Sequence, residues 1–213
     1  MIKRCGRFRS LRHIACRRPE EGSVIRHQFE PARDSRYFED YHPGAVYEFP
    51  VATITEAGIV AFACEFDPQP YHADPVAARD FPFGGVIASG WHTGSLMMRC
   101  LVDHYLSTIA TLPSPGVDEM RWMRPVRVGD ALRLRVHIVA ARRSASKPDR
   151  GIVDSFVEML NQNDLVVMTL KPVGMFLCRN ATEQPPLPQP GEQSATGAKR
   201  TWPSPARRGS SHK

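Results

Sequence analysis

Nothing in the sequence spaces its cysteines for a metal or a redox pair. Cys5, Cys16, Cys64, Cys100 and Cys178 are scattered, with no Cys-x-x-Cys and no Cys/His cluster at zinc spacing. Reduced thiols in a cytoplasm-like compartment are the plain expectation. No apolar run approaches the roughly 18–20 residues that span a bilayer, so no membrane partner is expected. Acid is missing from residues 1–18, which hold seven Lys/Arg. No secretory signal is expected there, because no continuous apolar stretch follows the basic residues. Arg-rich, acid-poor leaders resemble organelle transit peptides; a basic arm that stays unfolded is the plainer reading.

The net charge is +6, but it sits at the ends. Residues 1–36 hold 10 basic and 4 acidic side chains, and residues 179–213 hold 6 and 2. The middle holds 12 basic and 16 acidic, a net of −4. A nucleic-acid partner for the whole chain therefore loses its electrostatic basis. The tail after residue 180 carries Pro185, Pro186, Pro188, Pro190, Pro203 and Pro205 among Ser, Gly and Gln. Such a composition buries too little apolar surface to offset ordering. The expected organisation is a basic extension at 1–35, one compact unit at 36–179, and a disordered tail at 180–213.

Within the unit, Val46 to Val51 reads as a short strand. Thr53 and Glu56 have capping-box spacing, and Ile59, Val60, Phe62 and Ala63 give the following helix an apolar face. "VAARD" is a short helical turn, and "FPFGGVIASG" a glycine-punctuated loop. "WHTGSLMMRCLVDHYLSTIA" reads as a long helix, apolar on most sides and therefore buried. The second half alternates: Leu132, Leu134, Val136 and Ile138 point one way, Arg133, Arg135 and His137 the other. "GIVDSFVEMLNQ" and "DLVVMTLKPVGMFLC" predict two more strands, joined by a turn at Asn163-Asp164. The fold class is α+β, at least three long antiparallel strands wrapped on a central helix.

The stretch "FDPQPYHADP" carries the chemistry. Pro68 and Pro70 stiffen it and push Asp67 and Gln69 into extended conformations. A carboxylate and an imidazole held at fixed separation suit general acid–base work. From spacing alone, Asp67 capping a turn and His72 as an ordinary loop histidine is the plainer reading. Gly84, Gly85 and Gly90 precede the long helix, whose free N–H groups would stabilise a carbonyl oxygen gaining negative charge. A tight turn into the helix is the alternative use of those glycines.

Together, "FDPQPYHADPVAA" and "FPFGGVIASGWHTGSLMMR" resemble the MaoC-like dehydratase family of the hotdog superfamily, which includes R-specific enoyl-CoA hydratases. "RWMRPVRVGD" also looks like the family's lead-in to a strand, and the resemblance covers about residues 36–179. It implies a single hotdog domain that hydrates an enoyl thioester or dehydrates a 3-hydroxyacyl thioester. Asp67 and His72 match the catalytic pair, and Gly90 the glycine whose N–H binds the thioester oxygen. Asp74 and Pro75 match a pattern that shapes the loop. Ser89, Trp91, Gly85 and Gln69 are the further substrate-binding candidates, with His92, Ser95, Arg121, Arg124 and Arg127 behind them. Phe66 and Gln69 stand where the best-known hydratases carry Gly and Asn. The resemblance also implies a homodimer, a CoA or acyl-carrier-protein thioester as substrate, and no metal or redox cofactor. The alternatives are a hotdog thioesterase, for which the helix offers only Asp103, and a non-catalytic acyl-binding module.

Overall fold

The computed structural model describes residues 28–180. The expected extension and tail therefore fall almost wholly outside the described residues. What is described of the extension packs on the unit. Phe29 stacks on Tyr47 with ring centroids 4.0 Å apart, and Arg33 Nη1 donates to the Asp103 carbonyl at 2.8 Å. The folded unit thus reaches upstream of residue 36.

Strand β1 (Val46–Thr53) leads into helix α1 (Glu56–Phe66). A one-turn helix α2 (Pro70–Ala73) and a 3-10 turn (Ala77–Asp80) follow. Helix α3 (Gly90–Cys100) runs on into a wider π turn (Leu101–Tyr105). Strands β2 (Thr111–Trp122), β3 (Ala131–Arg143), β4 (Arg150–Leu160) and β5 (Val166–Leu177) complete the chain. The five strands form one antiparallel sheet in the order β1-β3-β4-β5-β2. Wrapped on α3, this is the hotdog arrangement.

The alternation read in β3 fixes the sheet's two faces. Tyr47, Val136, Val157, Leu170 and Met120 lie in register across all five strands on the helix side. They share one core with Leu96, Met97, Cys100 and Leu101 of the helix. One step along, Glu48, Arg135, Glu158, Thr169 and Arg121 form the opposite row. There Arg135 bridges Glu48 at 2.6 Å and Glu158 at 3.7 Å, and His137 meets Glu158 at 3.2 Å. A one-residue slip would exchange these rows, so register is strongly specified.

Three local readings are corrected. The helix cap is Thr55, whose hydroxyl accepts from the Gly58 N–H at 3.1 Å; Thr53 instead closes β1. The central helix stops at Tyr105 rather than Ala110, because the Ser107 hydroxyl takes the Ile109 and Ala110 N–H groups and turns the chain. The helix is also not buried all round, since Trp91, Met98 and Val102 form an exposed stripe. Strand β2 was not anticipated before Gly116. Pro113 and Pro115 sit at its irregular pairing, which an edge strand tolerates.

Candidate active site

Two prolines place the acid and the imidazole. Pro68 forbids α1 from continuing, so Asp67 becomes its C-cap, with its N–H bonded to the Ala63 carbonyl. Pro70 then occupies the first position of α2, where its missing N–H costs nothing. The stiff stretch carrying the pair would be non-helical throughout if the prolines alone set it, but His72 is carried on one helical turn. The turn buries His72 and aims its Nδ1 at the Ile87 carbonyl, 2.7 Å away. A carbonyl only accepts, so Nδ1 carries the proton and Nε2 presents its lone pair. That Nε2 stands 3.6 Å from Asp67 Oδ2, too far for a direct hydrogen bond.

Both oxygens of Asp67 are held. Gln69 Nε2 donates to Oδ1 at 2.7 Å, and the Ser89 hydroxyl donates to Oδ2 at 2.7 Å. These bonds, that of Gln69 first, hold the carboxyl below its ordinary value; partial burial opposes them and His72 adds to them. Asp67 is thus a carboxylate at neutral pH, with one oxygen beside an imidazole lone pair.

Ser89 also caps α3, accepting the Trp91 N–H at 3.2 Å. Gly90 is the first residue of that helix, so its N–H has no intrahelical acceptor and lies at the positive end of the dipole. Its φ is not in the left-handed region. A side chain is excluded by crowding instead, since a Cβ would lie 2.6 Å from the Trp122 ring. Gly84 and Gly85, by contrast, have φ of +65° and +154° and make the turn before the helix.

Asp67, His72, Ser89 and Gly90 open onto one cavity of about 480 Å³. Tyr71, Phe83, Ile87, Trp91, Trp122 and Val167 supply apolar walls, and Arg124 lies at its edge. Of the candidate residues, Asp67, His72, Ser89, Gly90, Trp91 and Arg124 share this cavity. Gln69 and Gly85 do not line it: Gln69 acts on Asp67, and Gly85 on the backbone. His92 stacks on Phe62 at 4.9 Å within the fold, with its buried Nδ1 unpartnered. Ser95 bonds the Trp91 carbonyl at 2.8 Å. Arg121 pairs with Glu119, and Arg127 with the Phe83 carbonyl. Asp74 accepts the Val76 and Ala77 N–H groups, the loop-shaping part expected of it. Asp103 pairs with Arg99 at 2.7 Å and is not part of the cavity wall. Trp122 and Tyr71 went unnoticed in the sequence, where neither stands in a local pattern that marks it. Among the described residues, no three His, Cys, Asp or Glu side chains gather as a metal site.

A family profile for the MaoC like domain matches residues 40–158. Protein MaoC of Klebsiella aerogenes is 29% identical over 148 residues, which is 62% of this chain and 43% of that protein. The chain therefore spans less than half of that relative. The 3-hydroxyacyl-thioester dehydratase Z of Mycobacterium tuberculosis is 30% identical over 111 residues, 50% of this chain and 72% of that protein. The crystal structure of a MaoC-like dehydratase from Rhodospirillum rubrum is 36% identical, with a TM-score of 0.62 over 68% of this chain and 99% of that one.

Proposed function

The chain belongs to the MaoC-like domain family, and from that premise we propose that it adds water reversibly to a trans-2-enoyl thioester. One observation carries the reading. Asp67 Oδ2 and His72 Nε2 stand 3.6 Å apart, and both residues line the same cavity as Gly90, whose N–H has no intrahelical acceptor. A base, an orienting acceptor and an oxyanion donor therefore surround one volume.

A water between the two side chains gives one hydrogen to Asp67 and the other to the His72 lone pair. As its oxygen bonds to the β carbon, Asp67 takes the proton and the enoyl π electrons move to the thioester oxygen. The Gly90 N–H and the helix end stabilise that charge. A proton returns to the α carbon with His72 taking part, so H and OH have been added across the double bond. Dehydration is the same path reversed. No cofactor enters these steps. The carrier is CoA or acyl-carrier protein, and the likeness to the mycobacterial 3-hydroxyacyl-thioester dehydratase supports a thioester substrate.

A homodimer accompanies this reading, supported by the uncovered edge strand β2 and the exposed stripe of Trp91, Met98 and Val102. A cytoplasmic location is proposed with it. No helix among the described residues is long and apolar enough to cross a membrane. A thioesterase with its acid on the central helix finds no support, because Asp103 is engaged away from the cavity. The test is hydration of a short trans-2-enoyl-CoA by the wild type, Asp67→Asn and His72→Ala. Loss of about 10²–10⁴ in rate is expected of each variant, with the fold retained. Near-wild-type turnover in either variant sinks the assignment.

A further inference from the structure

Trp122 ends the edge strand β2 and meets the first residue of α3. Its indole N–H donates to the Gly90 carbonyl at 2.8 Å. Its ring covers Gly90 so closely that any Cβ there would collide with it, and Trp91 packs edge-on against it at 5.4 Å. The Gly90 carbonyl shares a peptide unit with the Trp91 N–H. That N–H donates to Ser89 Oγ at 3.2 Å, and the Ser89 hydroxyl donates to Asp67 Oδ2 at 2.7 Å. Indole, peptide and hydroxyl donors thus run in one direction and end on the carboxylate.

Burial does not force this bond. Trp122 is 46% exposed, so its N–H could be met by water. Nor does the Gly90 carbonyl need it, because helical geometry already gives that carbonyl the N–H four residues on. A second donor on the carbonyl polarises the peptide and strengthens the donor at its other end.

We propose that Trp122 is a positioning residue, which fixes the Gly90–Trp91 peptide and, through Ser89, orients Asp67 towards the cavity. The edge strand is thereby coupled to both halves of the site, the base and the oxyanion donor. The proposal rests on the reading of Asp67 as the base.

Trp122→Phe tests it, since an aromatic ring is kept beside Gly90 while the indole donor is lost. Two readouts are taken on the full chain. The first is the titration of the Asp67 carboxyl carbon by NMR, expected to move to higher pH in the variant. The second is hydration of crotonyl-CoA. There kcat is expected to fall roughly three- to tenfold while KM changes less than about twofold. The fall should vanish in an Asp67→Asn background. An unmoved titration overturns the proposal, as does a loss confined to KM or a loss of equal size in the Asp67→Asn background. If the wild type turns over no thioester, the proposed reaction fails, and the titration alone decides whether Trp122 acts on Asp67. If Trp122→Phe does not fold, Trp122→Leu is read in the same two ways.

Discussion

Ser89→Ala removes two bonds at once, and pH separates them. The hydroxyl caps α3 through the Trp91 N–H and donates to Asp67 Oδ2. Loss of a serine cap typically costs about 1 kcal/mol. A hydrogen bond to a charged group contributes about 1.5–3 kcal/mol. The lower end applies here, because the Asp67 side chain keeps 19% exposure and water can partly replace the donor. The sum is about 2–3 kcal/mol at neutral pH, roughly 4–12 °C in Tm for a chain of this size. Asp67 has a folded-state pKa held below its ordinary value of 3.8. Its contribution is therefore present above that value and lost as pH falls through the folded pKa. Urea unfolding of wild type and variant should show the full difference at pH 7 and a shrinking one as pH falls below 3.8, tending to the cap alone, about 1 kcal/mol. A difference that stays constant over that range would refute the link between Ser89 and the carboxylate. So would a neutral-pH difference under about 0.5 kcal/mol, the size of an ordinary surface change.

Three further outcomes are expected. Gly90→Ala should cost about 1–3 kcal/mol of stability as Trp122 is displaced, with a change in tryptophan emission; unchanged emission and Tm would contradict the packing. His92→Phe should stabilise at pH 7 by removing a buried unpartnered nitrogen, and more at pH 5. Burial lowers the His92 pKa, so below 6.5 the unfolded chain binds the proton first and wild-type stability falls with pH; a gap in Tm independent of pH would count against this. Leu134→Ala, at a side chain with 0% exposure on the helix-facing side of β3, should lose about 2–5 kcal/mol by urea unfolding; a loss under about 1 kcal/mol would mean the sheet face is assigned wrongly.

The parts of the fold legible in the sequence are those set by local periodicity. Leu132 to Ile138 alternate because one face of β3 lies on α3, and that pattern survives without knowledge of any partner strand. Strand β2 defeated the same reading. Its edge position lets it hold Pro113 and Pro115 and expose both faces, so no alternation develops. Thr53 and Thr55 both precede Glu56, and tertiary pairing of Thr53 with Ala131 decides which of them caps the helix. In the site, Asp67 and His72 were legible as a pair through the resemblance of the whole proline-stiffened stretch, a pattern contained in one local run of sequence. Trp122 left no such mark: it lies 32 residues from Gly90, and only the closing of the sheet brings them together. His92 lies two residues from Gly90, yet the helical turn points it at Phe62.

Water addition at Asp67 and His72 is the step on which the proposed function stands. The most direct measurement follows a trans-2-enoyl-CoA with wild type and Asp67→Asn, reading loss of the conjugated thioester absorbance and product mass together. The expected result is a product heavier by one water with the wild type and a rate lower by about 10²–10⁴ in the variant. Hydration at the wild-type rate in Asp67→Asn would contradict it, as would free thiol released from a saturated acyl-CoA with no hydration of the enoyl substrate.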